Sequence, residues 1–455
     1  MTRDPSRTPA RTTSERRPAR PALLRQHWPD QARWVEVAAY GAIGAAGMFT
    51  LSAGVLTAGA RIIARLPLVP RESLRGLPDM TVRAVHPDRV HLDETRTTGR
   101  GGLLALRQGG GTVHVRLGPV DGRPTPTTVS RPVLAVDTDE PLQVDRARSN
   151  GFYWAGTPQT AHGLPTEEVT VESPVGNMPA WLVRPDTDSG SAPGNEDTWA
   201  ILVHGHGSAR GEALRIIPLL HRLGLTSLTI TYRNDAGAPA SADRMHHLGS
   251  AEWEDTEAAI DYAIAHGARR IVLVGWSMGG GIALRASVRS AHRERIAALV
   301  LDSPAVDWQD ILIYHATALK APARMRELAL WMMTSRFGAR MVRLREPLAL
   351  AEMTPAYYAE HLTHPTLLFH ALDDETVPPE PSRQLAALRP DLIEFVPVAG
   401  ASHTREWNTD PARYERRLAE YLIRELGLEI RADEIAVPVR DPAAPALEGS
   451  IGLRL

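Results

Sequence analysis

The sequence predicts an α/β protein. It should have a mostly parallel sheet covered by helices, a helical insertion, a small β-rich accessory region and an apolar N-terminal span. Three observations carry this reading. From "WAILVH" onward, continuous apolar runs alternate with amphipathic stretches, as in strands buried on both faces by crossover helices. Ahead of them, residues 66–157 read as short period-2 runs broken by turn residues, the pattern of antiparallel strands. Val37 to Ala60 runs 24 residues without a charge, enough to cross a hydrocarbon core of about 30 Å as a helix.

In chain order, residues 1–33 are rich in Arg, Pro, Ser and Thr and are expected to be a disordered arm. Residues 34–61 are read as an uncleaved transmembrane helix. A buried soluble helix is the second reading, and a signal cleaved at Ala58–Ala60 is the third. Eight arginines precede the span, while Arg61, Arg65, Arg71 and Arg75 follow it. That asymmetry places the N-terminus inside and the bulk of the chain outside the cell membrane, as a single-pass protein.

Residues 66–160 form the β-rich region, with strands over "MTVRAV", "RVHLDE", "GLLALR", "TVHVRLG" and "RPVLAVD" and a hairpin at "RQGGGT". It carries no cluster of His, Asp or Glu for acid–base or metal chemistry, so an accessory role is expected. The α/β domain is placed at 165–427. It opens with a hairpin in "EEVTVESPVGNMPAWLVRP", and its helical insertion covers 307–362. The Pro/Ala-rich tail, 428–455, is expected to be loose.

Composition excludes several classes. The chain has no cysteine and a net charge of −2. A thiol nucleophile, a disulfide, an iron–sulfur cluster and a thiolate zinc site are ruled out, and bulk charge gives no pointer to nucleic acid. No period of 20–50 residues recurs, which rules out a repeat array. Nothing in the sequence signals an oligomeric state.

"VLVGWSMGGGIA" places Ser277 among glycines where a strand stops and a helix begins. Gly275-Trp276-Ser277-Met278-Gly279 matches G-x-S-x-G in the strand–turn–helix context the motif requires. The glycines let strand and helix pack closely while the turn pushes the serine hydroxyl outward. A serine needs a base to take its proton and an acid to orient that base. The last strand, "LIEFVPV", leads into "AGASHTREW", so His403 should emerge at the same sheet edge. The acid should follow "TLLFHAL". Spacing selects Asp374, with Asp373 as a loop or capping residue; Asp302 in "LVLDSP" is another acid position, and Asp255 is expected to face solvent or cap a neighbouring element. For a developing oxyanion, the backbone N–H of Met278 and that of His206 in "HGHG" are the expected donors. His204 and His206 resemble the start of an H-x-H metal motif, but no further ligands follow nearby, and neither a metal nor a cofactor is expected.

Taken in order, "HGHG", "YRND", "GWSMGG", "LDSP", "HALDDETVP" and "ASHTREW" resemble the α/β-hydrolase superfamily, in particular its serine aminopeptidase-type bacterial branch. The resemblance covers about residues 165–427. It aligns the family's acid with Asp374, although Ala371 stands where glycine is usual. It implies an α/β-hydrolase fold and a serine hydrolase acting through an acyl-enzyme on a small-molecule or lipid-like acyl substrate, with the helical insertion as a lid. The apolar span, which the resemblance does not cover, adds the expectation that this hydrolase is membrane-anchored. A serine peptidase, an acyltransferase and a catalytically silent binding fold at the membrane are the alternatives.

Overall fold

Strand polarity divides the protein into two β systems in the computed structural model, which describes residues 53–70, 77–122, 125–186, 192 and 194–431. The arm expected over 1–33, residues 37–52 of the apolar span and the tail from 432 onward lie outside the described residues.

The first system is a closed barrel of six strands, β1 (Met80–Val85), β2 (Arg89–Asp93), β3 (Leu104–Gln108), β4 (Val113–Leu117), β5 (Thr128–Val136) and β6 (Arg146–Asn150), in the order β1-β2-β5-β4-β3-β6. Period-2 alternation turns Val82, Leu92, Leu106, Val115 and Val129 inward to an apolar core of its own. Closure removes the open edges that so short a sheet would expose. The β3–β4 connection runs through Gly109, Gly110 and Gly111, all at positive φ. Only glycine holds three such residues in a row without strain.

The second system is an eight-stranded sheet in the order β14-β13-β12-β11-β9-β10-β8-β7. β7 (Glu167–Ser173) and β8 (Gly176–Val183) form an antiparallel hairpin, and β8 runs antiparallel to β10 (Thr226–Ile230). From β10 through β9 (Thr198–Val203), β11 (Arg270–Trp276), β12 (Ile296–Asp302), β13 (Thr366–Ala371) and β14 (Ile393–Val398), every pairing is parallel. Alternate residues of these strands feed opposite cores. Ile201, Leu273 and Leu299 face one side, and Leu202, Val274 and Val300 face the other. Each such burial contributes roughly 1.5–3 kcal/mol, which is why these strands read as unbroken apolar runs.

Among the described residues the helices are α1 (Ala53–Arg65), α2 (Pro158–His162), α3 (Ile217–Arg222), α4 (Trp253–Ala265), α5 (Met278–Arg289), α6 (Trp308–Ala318), α7 (Ala323–Thr334), α8 (Arg336–Val342), α9 (Pro355–His361), α10 (Glu380–Leu388), α11 (Glu406–Thr409) and α12 (Pro411–Leu426). The insertion expected between two core strands contains α6 to α9, lying between β12 and β13.

Of the N-terminal span, only residues 53–61 are described. No helix among the described residues is long and apolar enough to cross a membrane. Residues 53–60, the end of the span, belong to α1, which continues past residue 61 to Arg65 and packs against α7 and α8. Small side chains explain the contact: Ala60 and Ala64 are fully buried, and a Cβ on Gly59 would come within 2.6 Å of Met325 Cε. Arg61 Nε and Arg65 Nη1 donate to the carbonyls of Met341 and Val342 at 2.7 and 3.1 Å, capping the end of α8 where helix carbonyls lack partners. Residues 66–69, read from sequence as the start of the β-rich region, instead turn onto the α/β core. Leu68 is fully buried there, and its carbonyl accepts from the His246 N–H at 2.7 Å.

Candidate active site

Parallel strands end at one edge of a sheet, and connections leaving that edge share its rim. Ser277 lies between β11 and α5 at φ 54° and ψ −119°. A non-glycine residue held there stores about 1–3 kcal/mol, so the surrounding bonds must fix it. Its N–H donates to Asp302 O at 3.0 Å, and its carbonyl accepts from Gly281 N and Ala305 N at 3.1 and 2.9 Å. The glycines answer a packing demand. A Cβ on Gly279 would collide with the carbonyls of Val203 and His204, and one on Gly280 would lie 2.7 Å from Pro304 Cβ.

His403 stands on the connection after β14, and its Nε2 lies 2.8 Å from Ser277 Oγ. Its Nδ1 lies 2.7 Å from Asp374 Oδ2, on the connection after β13. The other carboxylate oxygen of Asp374 accepts from the N–H groups of Thr376 and Val377 at 2.8 and 2.9 Å. Burial works to raise the Asp374 carboxyl, but His403, His370 and their hydrogen bonds outweigh it and hold it well below the usual carboxylate range. Burial likewise works to lower the His403 imidazole, but the charge and hydrogen bond of Asp374 prevail and raise it. The geometry lets Ser277 O–H donate to His403 Nε2 while His403 Nδ1–H donates to a carboxylate.

The other sequence candidates fall as follows. Asp373 is exposed. Asp302 is buried behind the serine, where its Oδ2 accepts from Tyr414 O–H at 3.0 Å. Of the two roles expected for Asp255, facing solvent is corrected, since it is 1 % exposed. It instead accepts from the backbone N–H and the Nε of Arg233, just past β10, at 2.9 and 2.8 Å. Met278 opens α5 directly after the serine. His206 follows Gly205, where an added Cβ would sit 3.0 Å from Ser277 Cβ. The His206 ring donates through Nε2 to Pro67 O at 2.9 Å, and His204 Nε2 lies 2.8 Å from Asp235 Oδ2. No cluster of metal-ligating side chains occurs among the described residues.

Two buried carboxylates escaped the sequence reading. Glu212 Oε2 accepts from Gly205 N–H and Ser208 O–H, both at 2.8 Å, and so fixes the turn beside the serine. Glu406 Oε1 accepts from Ser303 O–H at 2.5 Å and from Ala371 N–H at 2.8 Å. It thereby ties the histidine segment to the ends of β12 and β13. The only available signal was a glutamate shortly after each motif, "HGHGSARGE" and "SHTRE", and helical surface glutamates give the same signal.

Residues 200–422 match the model of a family described as the alpha/beta hydrolase family, and residues 81–150 match one described as a domain of unknown function. Among solved structures, an esterase of Pyrococcus furiosus is 20% identical over 60% of this chain and 95% of its own, with a TM-score of 0.46. A puromycin-hydrolyzing peptidase of Mycobacterium tuberculosis is 20% identical over 77% of this chain and 54% of its own, with a TM-score of 0.47. Est1E from Butyrivibrio proteoclasticus is 17% identical over 57% of this chain and 99% of its own, with a TM-score of 0.42. None of these likenesses bears on substrate. Through residues 200–422, this chain belongs to the α/β-hydrolase superfamily.

Proposed function

We propose that the protein is a serine hydrolase in which Ser277 is the nucleophile, His403 the general base and Asp374 the orienting acid. The observation that carries this reading is the continuous hydrogen-bonded line from Ser277 Oγ through both ring nitrogens of His403 to Asp374, with steps of 2.8 and 2.7 Å. His403 Nε2 takes the hydroxyl proton as Oγ bonds to the substrate carbonyl carbon. Asp374 stabilises the imidazolium that results. The backbone N–H groups of Met278 and His206 receive the negative charge that develops on the carbonyl oxygen. Collapse of that intermediate expels the alcohol or amine, which leaves with the proton from His403. Water then repeats the cycle on the acyl-enzyme, releasing the acid and restoring the serine.

The substrate we favour is a small or lipid-like carboxylic ester, with the helical insertion acting as the lid. Its outer surface supports a membrane setting. Trp331 and Phe337 are 43% and 67% exposed with ring centroids 6.1 Å apart, and residues 320–345 carry Lys320 and six arginines against the single acid Glu327. Exposed aromatics among cations suit an anionic lipid surface, and residues 37–52 continue the charge-free run just ahead of α1. Anchoring through that run, with the hydrolase domain outside the cell, belongs to this proposal.

Labelling of the full-length protein by a fluorophosphonate tests the chemistry. Wild type should be labelled, whereas Ser277→Ala and His403→Ala should not. Hydrolysis of esters of increasing acyl length then reads the substrate class. Fractionation of membranes after carbonate washing tests the anchor, and recovery of the chain in the soluble fraction would remove it from the proposal.

A further inference from the structure

Arg131 on β5, in line with the inward-facing Val129, is a charged side chain buried in the barrel and only 1 % exposed. Its guanidinium spends its hydrogen bonds on carbonyl groups. Nε donates to Thr98 O at 3.0 Å, Nη1 to Gly102 O and Gly118 O at 2.9 and 2.7 Å, and Nη2 to Arg100 O. Burial pushes the group down to about 10, against the opposing charge of Glu94, so it remains cationic at neutral pH. Burying a cation costs stability, and three of the four carbonyls it satisfies lie in one stretch, residues 98–102.

That stretch reaches the histidine segment of the hydrolase domain. Arg100 Nη1 donates to Gly400 O at 3.2 Å and to Ala401 O at 2.9 Å. Leu103 N–H donates to Asn408 O at 2.7 Å. Gly102, at φ 80°, permits the approach, because a Cβ there would lie 2.7 Å from Thr409 Cα. Arg96 pairs with Glu375, the neighbour of Asp374. From the opposite side, Arg215 Nη1 donates to Thr404 O and to Asn408 Oδ1, the latter at 3.2 Å. The segment bearing His403 is thus held between the hydrolase core and the barrel.

We propose that the barrel is a positioning domain: Arg131 sets the shape of residues 98–102, and Arg100 uses that shape to hold Gly400 and Ala401, keeping His403 aligned on Ser277. This rests on the reading of Ser277 and His403 as nucleophile and base. Gly400 lies at φ 75° with nothing within 4 Å of an added Cβ, so no side chain packs over the turn there. The Arg100 bonds add a restraint from the barrel to those that Arg215 and Glu406 supply from the core. Arg100 and Arg131 are positioning residues here, acting through the histidine segment.

The test uses the full-length protein as wild type, Arg100→Ala, Arg100→Lys and, as a barrel control, Arg89→Ala, whose side chain pairs with Asp88 and Asp121. The second-order rate of fluorophosphonate labelling is measured across pH, together with the melting temperature. Arg100→Ala should lower the high-pH plateau by about 10- to 100-fold, the scale of an ångström-sized misalignment. Its pH midpoint should not move, because the bond between His403 and Asp374 remains. Arg100→Lys, which keeps a cationic donor on a shorter stem, should retain more of the rate than Arg100→Ala, and Arg89→Ala should match wild type. A folded Arg100→Ala protein labelled at the wild-type rate overturns this proposal alone, even if its melting temperature falls. A wild type that is never labelled overturns the serine reading and this proposal with it.

Discussion

The barrel and the eight-stranded sheet bury similar side chains by opposite means. In the barrel, antiparallel strands turn one face inward around a single small core, and their ends alternate between the two rims. In the sheet, the parallel strands are covered on both faces, and their carboxyl ends gather at one edge, where Ser277, Asp374 and His403 sit on the connections after β11, β13 and β14. Parallel order therefore brings distant residues together, while antiparallel order disperses its ends. The barrel has no comparable rim for assembling such chemistry. What it presents to the site is one shaped loop, and its core gives up one apolar position to Arg131 for that loop.

If this division is correct, substitutions at the sheet edge should damage chemistry, and substitutions of the barrel's apolar core residues should damage stability. The largest effects belong to Ser277→Ala and His403→Ala, each lowering ester hydrolysis by at least about 10³-fold without a comparable loss of melting temperature. Asp374→Asn comes next, at about 10²- to 10⁴-fold, and its pH profile carries the sign. The base must be neutral to accept a proton, and the His403 imidazole is raised above its ordinary value of 6.5. The wild-type rate should therefore fall as pH drops through a midpoint above 6.5. Removing the Asp374 charge leaves burial as the leading influence, and that midpoint should move to lower pH. An unmoved midpoint would separate His403 from Asp374.

Glu212→Ala sharpens the comparison from within the sheet edge. It releases Gly205 N–H and Ser208 O–H, and loosening a turn that flanks the oxyanion position should cost about tenfold in kcat, with KM less affected. The smallest catalytic effect is expected from Leu106→Ala, a fully buried barrel residue. It should cost about 2–5 kcal/mol of barrel stability. Fluorophosphonate labelling measured well below melting should stay near the wild-type rate. A large loss of labelling in that folded variant would mean that barrel packing and loop placement cannot be separated.

How much could be read from sequence follows the same division. The sheet was legible because unbroken apolar strands and amphipathic helices alternate, and the motif around Ser277 falls where one changes to the other. Strand order then pointed to His403 and Asp374, since each follows a recognisable strand. Barrel closure was less legible: period-2 runs specify a buried face, yet the β1–β6 pairing that closes the ring joins residues near 80 to residues near 147. The Ala/Gly-rich end of the apolar span was ambiguous for a physical reason, because small residues serve a lipid-facing helix and a close helix–helix contact alike. Arg100 and Arg131 gave no signal, as their partners are backbone carbonyls, in one case 300 residues away.

The central claim is that Ser277 is an activated nucleophile, and intact-mass analysis of the fluorophosphonate-treated protein tests it most directly. A single adduct that maps to Ser277, absent from Ser277→Ala and lost progressively as pH falls through the His403 midpoint, is the predicted result. An adduct of equal yield on Ser277→Ala, or a folded wild type that gains no mass at any pH, would contradict it.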